Sequence, residues 1–268
     1  MRMLIAAAFA LAAGQASAAT TVFSAAGANP AGILGTVNAF RASLGANNGN
    51  AVGSQGSGRR EINWDGGGAA APATMFGSPM TTFAFRGAVF KNFGDGFEIS
   101  GQPTPEFGDI NPTYPGIFQP FSGTRIFAPL GARSTSVEFN LPGFASQRAV
   151  TSAFGVVFLD VDLEDRTAIE FFGFNGASLG RFFAPTADNG LSFVGVRFDS
   201  AVIAGAKIVT GNRALGPDDG GDIDVVAMDD FIFGEPLAVP EPATWGLMIL
   251  GFGGVGAMLR GRRRVAFA

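Results

Sequence analysis

Short runs in which apolar and polar residues alternate fill the middle of the chain, residues 60–235. In one of them Val137, Phe139 and Leu141 alternate with polar residues, which is the period of a half-buried β-strand. Residues 154–163 are almost continuously apolar, as expected of a central strand. The runs recur about every 10 to 20 residues without a long helix between them. The pattern predicts an all-β fold for residues 60–235, a β-sandwich or jelly roll.

Two junctions between the runs carry turn signals. Asn175-Gly176 separates two β-like runs and predicts a tight β-hairpin, because both turn residues must accept positive φ. Asp188-Asn189-Gly190 predicts a second turn. The predicted strands lie at residues 82–90, 97–99, 137–141, 154–163, 169–174, 178–183, 191–198, 206–210 and 225–233.

Residues 19–59 have a different composition, rich in Ala, Gly, Asn and Ser. Val37, Phe40 and Leu44 have helical spacing, which predicts a short helix at residues 33–44. The following Asn- and Gly-rich stretch predicts a loop. We therefore expect residues 19–59 to form a flexible N-terminal segment that contains a short helix.

The first eighteen residues have the order of a secretory signal peptide. Arg2 provides a positive charge, residues 3–13 are apolar, and Ala16-Ser17-Ala18 offers small residues at the cleavage positions. We expect cleavage between Ala18 and Ala19. This pattern predicts a signal peptide at 1–18 and export through the Sec machinery.

The C-terminal residues change character after a linker at 236–242. Residues 243–259 carry no formal charge and, at about 1.5 Å per residue, span roughly 25 Å as a helix. We predict a short transmembrane helix at 243–260, with Trp245 at the interface. A basic cytoplasmic tail at 261–268 follows, and the basic residues that flank the membrane are Arg260, Arg262, Arg263 and Arg264.

The same region carries a specific resemblance. Pro240-Glu241-Pro242, then Trp245, a Gly-rich apolar span and a terminal Arg cluster resemble the PEP-CTERM sorting signal, in its tryptophan-containing subclass. The resemblance implies recognition of Pro240, Glu241 and Pro242 by an exosortase, a membrane-embedded sorting enzyme. It also implies processing near this motif, in bacteria that often produce exopolysaccharide.

A weaker resemblance covers the middle of the chain. Residues 59–66, 111–115, 158–162 and 224–232 are similar to stretches of secreted bacterial proteins without assigned activity. The Asp-Asp-Phe pattern near the end is also common in jelly-roll domains similar to carbohydrate-binding modules. The resemblance implies a fold and leaves the activity open.

Composition excludes several kinds of chemistry. The chain has no cysteine and no histidine, so disulfides, Ser-His-Asp and Cys-His catalysis and histidine metal sites are absent. Residues 19–235 hold 13 basic and 21 acidic residues, a formal charge of −8. An acidic domain of this kind lacks the basic footprint that binds phosphate backbones, so we expect no nucleic-acid partner.

Clustered aspartates are the candidate metal ligands. Asp160 and Asp162 share one strand face, and Asp229 and Asp230 are adjacent in the last strand. Oxygen-rich clusters suit Ca²⁺, so one interpretation is a structural calcium ion at these four residues, which Asp65 could complete. The other interpretation is solvated acidic loops whose carboxylates cap backbone N–H groups. No cofactor is required by either.

Trp64 and Tyr114 are the only aromatic residues other than phenylalanine in residues 19–235. Both lie in loop-like contexts, and exposed aromatic rings are the usual platforms for sugars. They are therefore candidate ligand-binding residues, although a lone Trp more often caps the core. The proline-rich stretch around Tyr114 is the first candidate for a binding surface, because long loops tend to be functional.

These observations predict an exported protein, anchored in the inner membrane as a precursor and then present at the cell surface, in the outer envelope or outside the cell. Its β-domain is expected to be a binding or structural module of the envelope or extracellular matrix, with glycan such as exopolysaccharide as the leading ligand. We predict no enzyme activity, because no catalytic motif is present. The alternative is a carboxylate-based glycoside hydrolase or another secreted hydrolase.

Overall fold

Residues 19–217, 221–239, 249–253 and 255–256 are described by a computed structural model. These residues form an eight-stranded and a seven-stranded antiparallel sheet, and helix α1 at Pro30–Leu44 packs against the larger one. The prediction of a predominantly β fold made of antiparallel strands is confirmed at this level.

The strands follow in chain order. They are β1 Thr20–Gly27, β2 Arg59–Ile62, β3 Thr74–Phe76, β4 Ala88–Lys91, β5 Gly96–Ile99, β6 Phe127–Leu130, β7 Ser134–Leu141, β8 Phe144–Val150, β9 Ala153–Val161, β10 Ala168–Phe172, β11 Ser178–Phe183, β12 Ala187–Phe198, β13 Gly205–Val209, β14 Ala227–Gly234 and β15 Leu237–Ala238. The larger sheet has the order β1-β12-β9-β14-β6-β5-β3, with β2 paired to β14. The smaller sheet has the order β11-β10-β13-β7-β8-β15, with β4 paired to β7.

The main core lies between the two sheets and is built largely from phenylalanine rings. Phe139 of the smaller sheet packs edge-on to Phe154 of the larger sheet, with ring centroids 5.6 Å apart. Phe171 of the smaller sheet contacts the same ring at 6.4 Å. Such ring pairs bury a large apolar area, which stabilises a domain that has no cysteine for disulfides.

A second core covers the other face of the larger sheet. Helix α1 packs there through its buried side chains Ile33, Val37, Phe40 and Leu44. Because the larger sheet is covered on both faces, every residue of β9 is buried. This is why residues 154–163 form a continuous apolar run instead of an alternating one.

The segment 19–59 is part of the fold rather than a separate flexible segment. β1 pairs with β12 in an unbroken register from Thr20 opposite Phe198 to Gly27 opposite Leu191. The predicted helix is present, and it begins at Pro30, a residue suited to the first turn of a helix. Sequence analysis did not predict β1, because this segment is rich in Ala and Gly. Its pairing with β12 stabilises the strand.

Turn residues explain the outcome of three other predictions. The Asn175-Gly176 hairpin is confirmed, since β10 and β11 are antiparallel partners, but only Gly176 has the positive φ expected of both turn residues. Asp188-Asn189-Gly190 does not end a strand but forms a register shift within β12. The predicted strand at 82–90 is interrupted by a 3₁₀ turn at Ala84–Arg86 and by Gly87, whose φ of +91° leaves only Ala88–Lys91 extended.

Three predicted features lie outside the described residues, namely the signal peptide, the basic tail and the Pro-Glu-Pro motif. The predicted transmembrane helix at 243–260 lies mostly outside them. Residues 249–253 and 255–256 are helical, and their large apolar side chains are exposed. In the described part of the chain, no helix combines the length and the apolar character needed to cross a bilayer.

Candidate functional site: a groove on the smaller sheet

The outer face of the smaller sheet carries an open groove of about 420 Å³. Strands β7 and β13 form its floor, and its two walls come from the β4–β5 connection and the β10–β11 hairpin. We call this feature the sheet groove. It is lined by Asn92, Phe93, Ser134, Ser136, Val137, Glu138, Arg148, Phe172, Gly173, Phe174, Gly176, Ala204, Gly205, Ala206 and Lys207.

Strand register places a row of charged side chains across this face. Lys91 of β4 and Lys207 of β13 are both direct partners of Ser136 on β7, so the two lysines flank one serine. Lys207 is in turn the partner of Glu170 on β10. Residues directly opposite in antiparallel strands project from the same face, so this row points away from the core.

Ion pairs organise one side of the groove. Glu138 accepts a hydrogen bond from Lys91 Nζ at 2.8 Å, and its other carboxylate oxygen lies 3.3 Å from Arg148 Nη1. Arg148 also donates to the carbonyl of Ala204 at 3.2 Å, which holds its guanidinium against the sheet. Lys207 is exposed and has no ion pair among the described residues. The groove therefore presents more positive than negative charge.

Two exposed aromatic rings stand on the opposite walls. Phe93 is 101% exposed, and Phe174 is 57% exposed. Large apolar side chains are mostly buried, so two exposed rings that line one groove are informative. Sequence analysis named only Trp64 and Tyr114 as candidate binding aromatics, yet Phe93 lies between Asn92 and Gly94, and Phe174 directly precedes the Asn-Gly turn. An aromatic residue in a polar turn was the signal that could have identified them.

Trp64 and Tyr114 are core residues and not the exposed platforms that the sequence suggested. Trp64 is buried and stacks on Phe127 at a centroid distance of 4.0 Å, and its Nε1 donates to the carbonyl of Asp229 at 2.9 Å. Tyr114 is also buried, and its hydroxyl donates to the carbonyl of Gly216 at 2.8 Å. The proline-rich stretch around Tyr114 thus closes the second core with its buried rings, while its outer side lines a polar pocket of about 400 Å³.

The four predicted calcium ligands separate into two sets. Asp160 and Asp162 meet Asp188, with one carboxylate oxygen from each within 4.8 Å of the others. Asp229 and Asp230 are not in this group and bind other partners. Burial raises the pKa of Asp160 to about 7; a hydrogen bond from the Asn189 N–H opposes this rise, and the nearby charge of Asp162 adds to it.

Asp229 and Asp230 hold a loop of the second core in place. Asp229 Oδ2 accepts hydrogen bonds from the backbone N–H groups of Phe121 at 2.6 Å and Ser122 at 3.0 Å. Asp230 accepts from the Ser122 hydroxyl and from Arg41, each at 2.6 Å. Burial raises the pKa of both carboxyls. These hydrogen bonds account for two adjacent aspartates on a buried strand, and no metal ion is needed to explain them.

A second, strongly polar pocket of about 330 Å³ lies beside Asp230. There Arg41 Nη2 contacts Glu61 at 2.9 Å and Asp230 at 2.6 Å. Arg59 contacts the other oxygen of Glu61 at 2.6 Å. Both carboxylates are thus paired with arginines, which makes the pocket a structural ion-pair network.

Comparison with known protein families identifies one segment. Residues 238–264 match the PEP-CTERM protein-sorting motif. This match implies an exported protein, a membrane-anchored precursor and processing by exosortase-type sorting machinery. It covers about a tenth of the chain and excludes the sheet groove. No curated protein and no solved structure matches the chain.

Proposed function

We propose that this chain is an exosortase-sorted surface or matrix protein whose jelly-roll-like domain binds glycan chains in the sheet groove. The observation that carries the proposal is the pair of exposed rings, Phe93 and Phe174, on opposite walls of one polar groove. Aromatic rings provide flat apolar faces for sugar rings, while Ser136 and the groove's charged side chains offer hydrogen-bond partners to hydroxyl groups.

Binding to a polysaccharide panel, measured on the full-length chain in a detergent without a sugar headgroup, tests this proposal. We expect Phe93→Ala and Phe174→Ala each to weaken binding about tenfold, because central aromatic contacts dominate interface energies. Phe144→Ala, which removes a 44% exposed ring outside the groove, is the control and should leave the affinity unchanged. Equal losses in all three variants would show that the groove is not the site.

The ends of the chain are proposed to act in export and processing. Cleavage after Ala18 would leave Ala19 as the first residue, directly before β1 begins at Thr20. At the other end β15 finishes at Ala238, close to Pro240-Glu241-Pro242 in the matched motif. We assign the motif to the tryptophan-containing subclass through Trp245, with the basic residues 260–264 on the cytoplasmic side.

Fractionation of cells that express the full chain tests this assignment. We expect a released form whose mass lacks Trp245 and the Arg cluster. The triple substitution of Pro240, Glu241 and Pro242 by alanine should keep the protein in the membrane fraction. A surface form that still carries Trp245 would mean that the tail serves only as an anchor.

Catalysis by paired carboxylates is the second candidate function. The polar pocket brings the carboxylates of Glu61 and Asp230 to one arginine nitrogen, and glycosidases use two carboxylates that face one cleft. Their pairing with Arg41 and Arg59 argues for structure instead. We expect no release of reducing ends from the panel; release that disappears in Asp160→Asn and Asp162→Asn, or in Glu61→Gln, would establish a hydrolase.

A structural calcium ion is proposed at Asp160, Asp162 and Asp188, whose carboxylates converge. We expect excess Ca²⁺ to raise the melting temperature relative to excess EDTA. Asp188→Asn should remove this difference, whereas Asp199→Asn, at an exposed acid elsewhere, should keep it. Identical midpoints in Ca²⁺ and EDTA would contradict the proposal.

A further inference from the structure

The chain contains only two lysines, and both belong to the face that carries the sheet groove. Lys91 and Lys207 are more than a hundred residues apart in sequence, yet each is the direct register partner of Ser136. Since neighbouring strands are about 4.8 Å apart, their backbones are separated by roughly 10 Å across β7. A third cation, Arg148, lines the same groove.

The charge on this face opposes that of the domain. Residues 19–235 carry a formal charge of −8, whereas the groove and its flanks hold Lys91, Arg148, Lys207 and Arg181 against Glu138 and Glu170. Glu138 is shared by Lys91 and Arg148, and Glu170 lies opposite both Lys207 and Arg181, so the two acids balance two of the four positive charges. Lys207, exposed and without an ion pair among the described residues, remains available for an anion.

An excess of positive charge in a groove on an otherwise acidic surface attracts anions to that groove. The groove is also open at the surface and rimmed by Phe93 and Phe174, a shape that suits an extended chain of rings rather than a small anion. We infer that the ligand of the sheet groove is an acidic polysaccharide, whose carboxylate groups pair with Lys207 and Lys91 while its sugar rings contact the two phenylalanines. This inference rests on the proposed glycan-binding function and specifies the class of glycan.

The test compares acidic polymers with their uncharged methyl esters. Polygalacturonate and alginate are each measured beside their methyl-esterified forms, using the full-length chain in detergent without a sugar headgroup. We expect the free acids to bind at least about tenfold tighter than the esters at low salt, and this preference to shrink as salt rises. Equal binding of acid and ester would overturn the inference.

Lysine variants test whether the preference for free acids over esters arises in the sheet groove. Lys207→Gln and Lys91→Gln should each weaken binding of the free acids about threefold to fivefold, as expected for exposed ion pairs, and leave binding of the esters unchanged. Arg197→Gln is the matched control, because it removes one exposed positive charge from the larger sheet. If Arg197→Gln weakens binding as much as the lysine variants do, the effect is one of net charge and the inference is overturned.

The outcome also separates this inference from the function on which it rests. Binding of neutral glycans that depends on Phe93, with no preference for acids, would overturn the acidic ligand and keep glycan binding. Absence of binding to every polysaccharide would overturn both. A single-stranded oligonucleotide that binds in the groove more tightly than the polyuronates would replace the glycan by a nucleic acid.

Discussion

At the scale of single residues, Trp64 shows how the structure converts a candidate binding residue into a core residue. Its ring contacts Phe83, Phe90, Phe127 and Phe231, at centroid distances from 4.0 to 5.7 Å. Its indole N–H is satisfied by a backbone carbonyl of β14. The side chain therefore connects the turn after β2 to the centre of the main core.

We predict that Trp64→Ala lowers the free energy of unfolding by about 3 to 5 kcal/mol, because it opens a large cavity and leaves a buried carbonyl without a partner. Phe93→Ala, at a fully exposed ring, should change it by no more than about 0.5 kcal/mol. Chemical denaturation followed by circular dichroism measures both. Similar stabilities for the two variants would contradict the assignment of Trp64 to the core.

At the scale of elements, helix α1 docks on the larger sheet because two glycines leave room for it. Gly155 of β9 and Gly195 of β12 are direct partners, and Phe40 of α1 packs over them. A Cβ atom on Gly155 would lie 2.9 Å from Phe40 Cε1 and 2.9 Å from Gly195 Cα. The close approach of helix and sheet therefore requires glycine at this position.

Gly155→Ala should therefore lower the free energy of unfolding by about 1 to 3 kcal/mol, since the added methyl group displaces the helix. Gly35→Ala is the matched control within α1, where an added Cβ meets nothing within 4 Å. It should raise stability by about 0.5 to 1 kcal/mol through helix propensity. Thermal denaturation of the two variants measures the difference, and the same sign for both would refute this account of the docking.

The connection from α1 to β2 is held by a buried ion pair near the C-terminal end of the domain. Arg60 donates to both carboxylate oxygens of Glu235, at 2.9 and 2.8 Å, and neither side chain is more than 1% exposed. Asn48 and the backbone of Gln55 also donate to Glu235. Glu235 thus ties the loop between α1 and β2 to the chain just before the linker.

Glu235→Ala is expected to lower the free energy of unfolding by about 3 to 5 kcal/mol, because it leaves the buried Arg60 guanidinium without its counter-ion. Replacing the pair together, by Arg60→Met and Glu235→Leu, should cost much less. Chemical denaturation compares the variants, and limited proteolysis should detect the loosened loop at residues 46–58. A double variant as unstable as the single one would mean that hydrogen bonds to the loop, and not the charge, dominate.

At the scale of the whole molecule, the domain is acidic and several of its carboxyl groups are buried. Burial raises the pKa of Glu98 to about 7 from an ordinary 4.5, and the charge of Asp109 adds to the rise. Burial also raises the pKa of Asp224, Asp229 and Asp230. The folded chain thus retains protons that the unfolded chain releases at lower pH.

The contribution of Glu98 to the free energy of unfolding should therefore be greatest below about pH 4.5 and should fall as the pH rises towards 7. The unfolded state binds fewer protons in this interval, so the slope of unfolding free energy against pH is negative. Glu98→Gln removes the titrating group and should flatten the decline between pH 5 and pH 7.5. Melting temperatures at the two pH values measure it, and an unchanged slope in the variant would exclude Glu98 as a source.

Local sequence determined several features of the protein without tertiary information. Alternating apolar residues predicted the β class, Asn175-Gly176 predicted the β10–β11 hairpin, and the spacing of Val37, Phe40 and Leu44 predicted α1. The sorting motif was also readable, because it is a short linear pattern. Each of these signals acts between residues that are close in sequence.

Only the tertiary structure decided where the candidate site lies. Strand order brought Lys91 and Lys207 to either side of Ser136, and core packing buried Trp64 while leaving Phe93 exposed. The physical reason is that exposure and charge neighbourhood depend on which distant strands pair and in which register, since a shift of one residue reverses every side chain. Sequence by itself therefore determined the class of fold and the sorting signal. The pairing of strands within the sheets determined which residues line the groove.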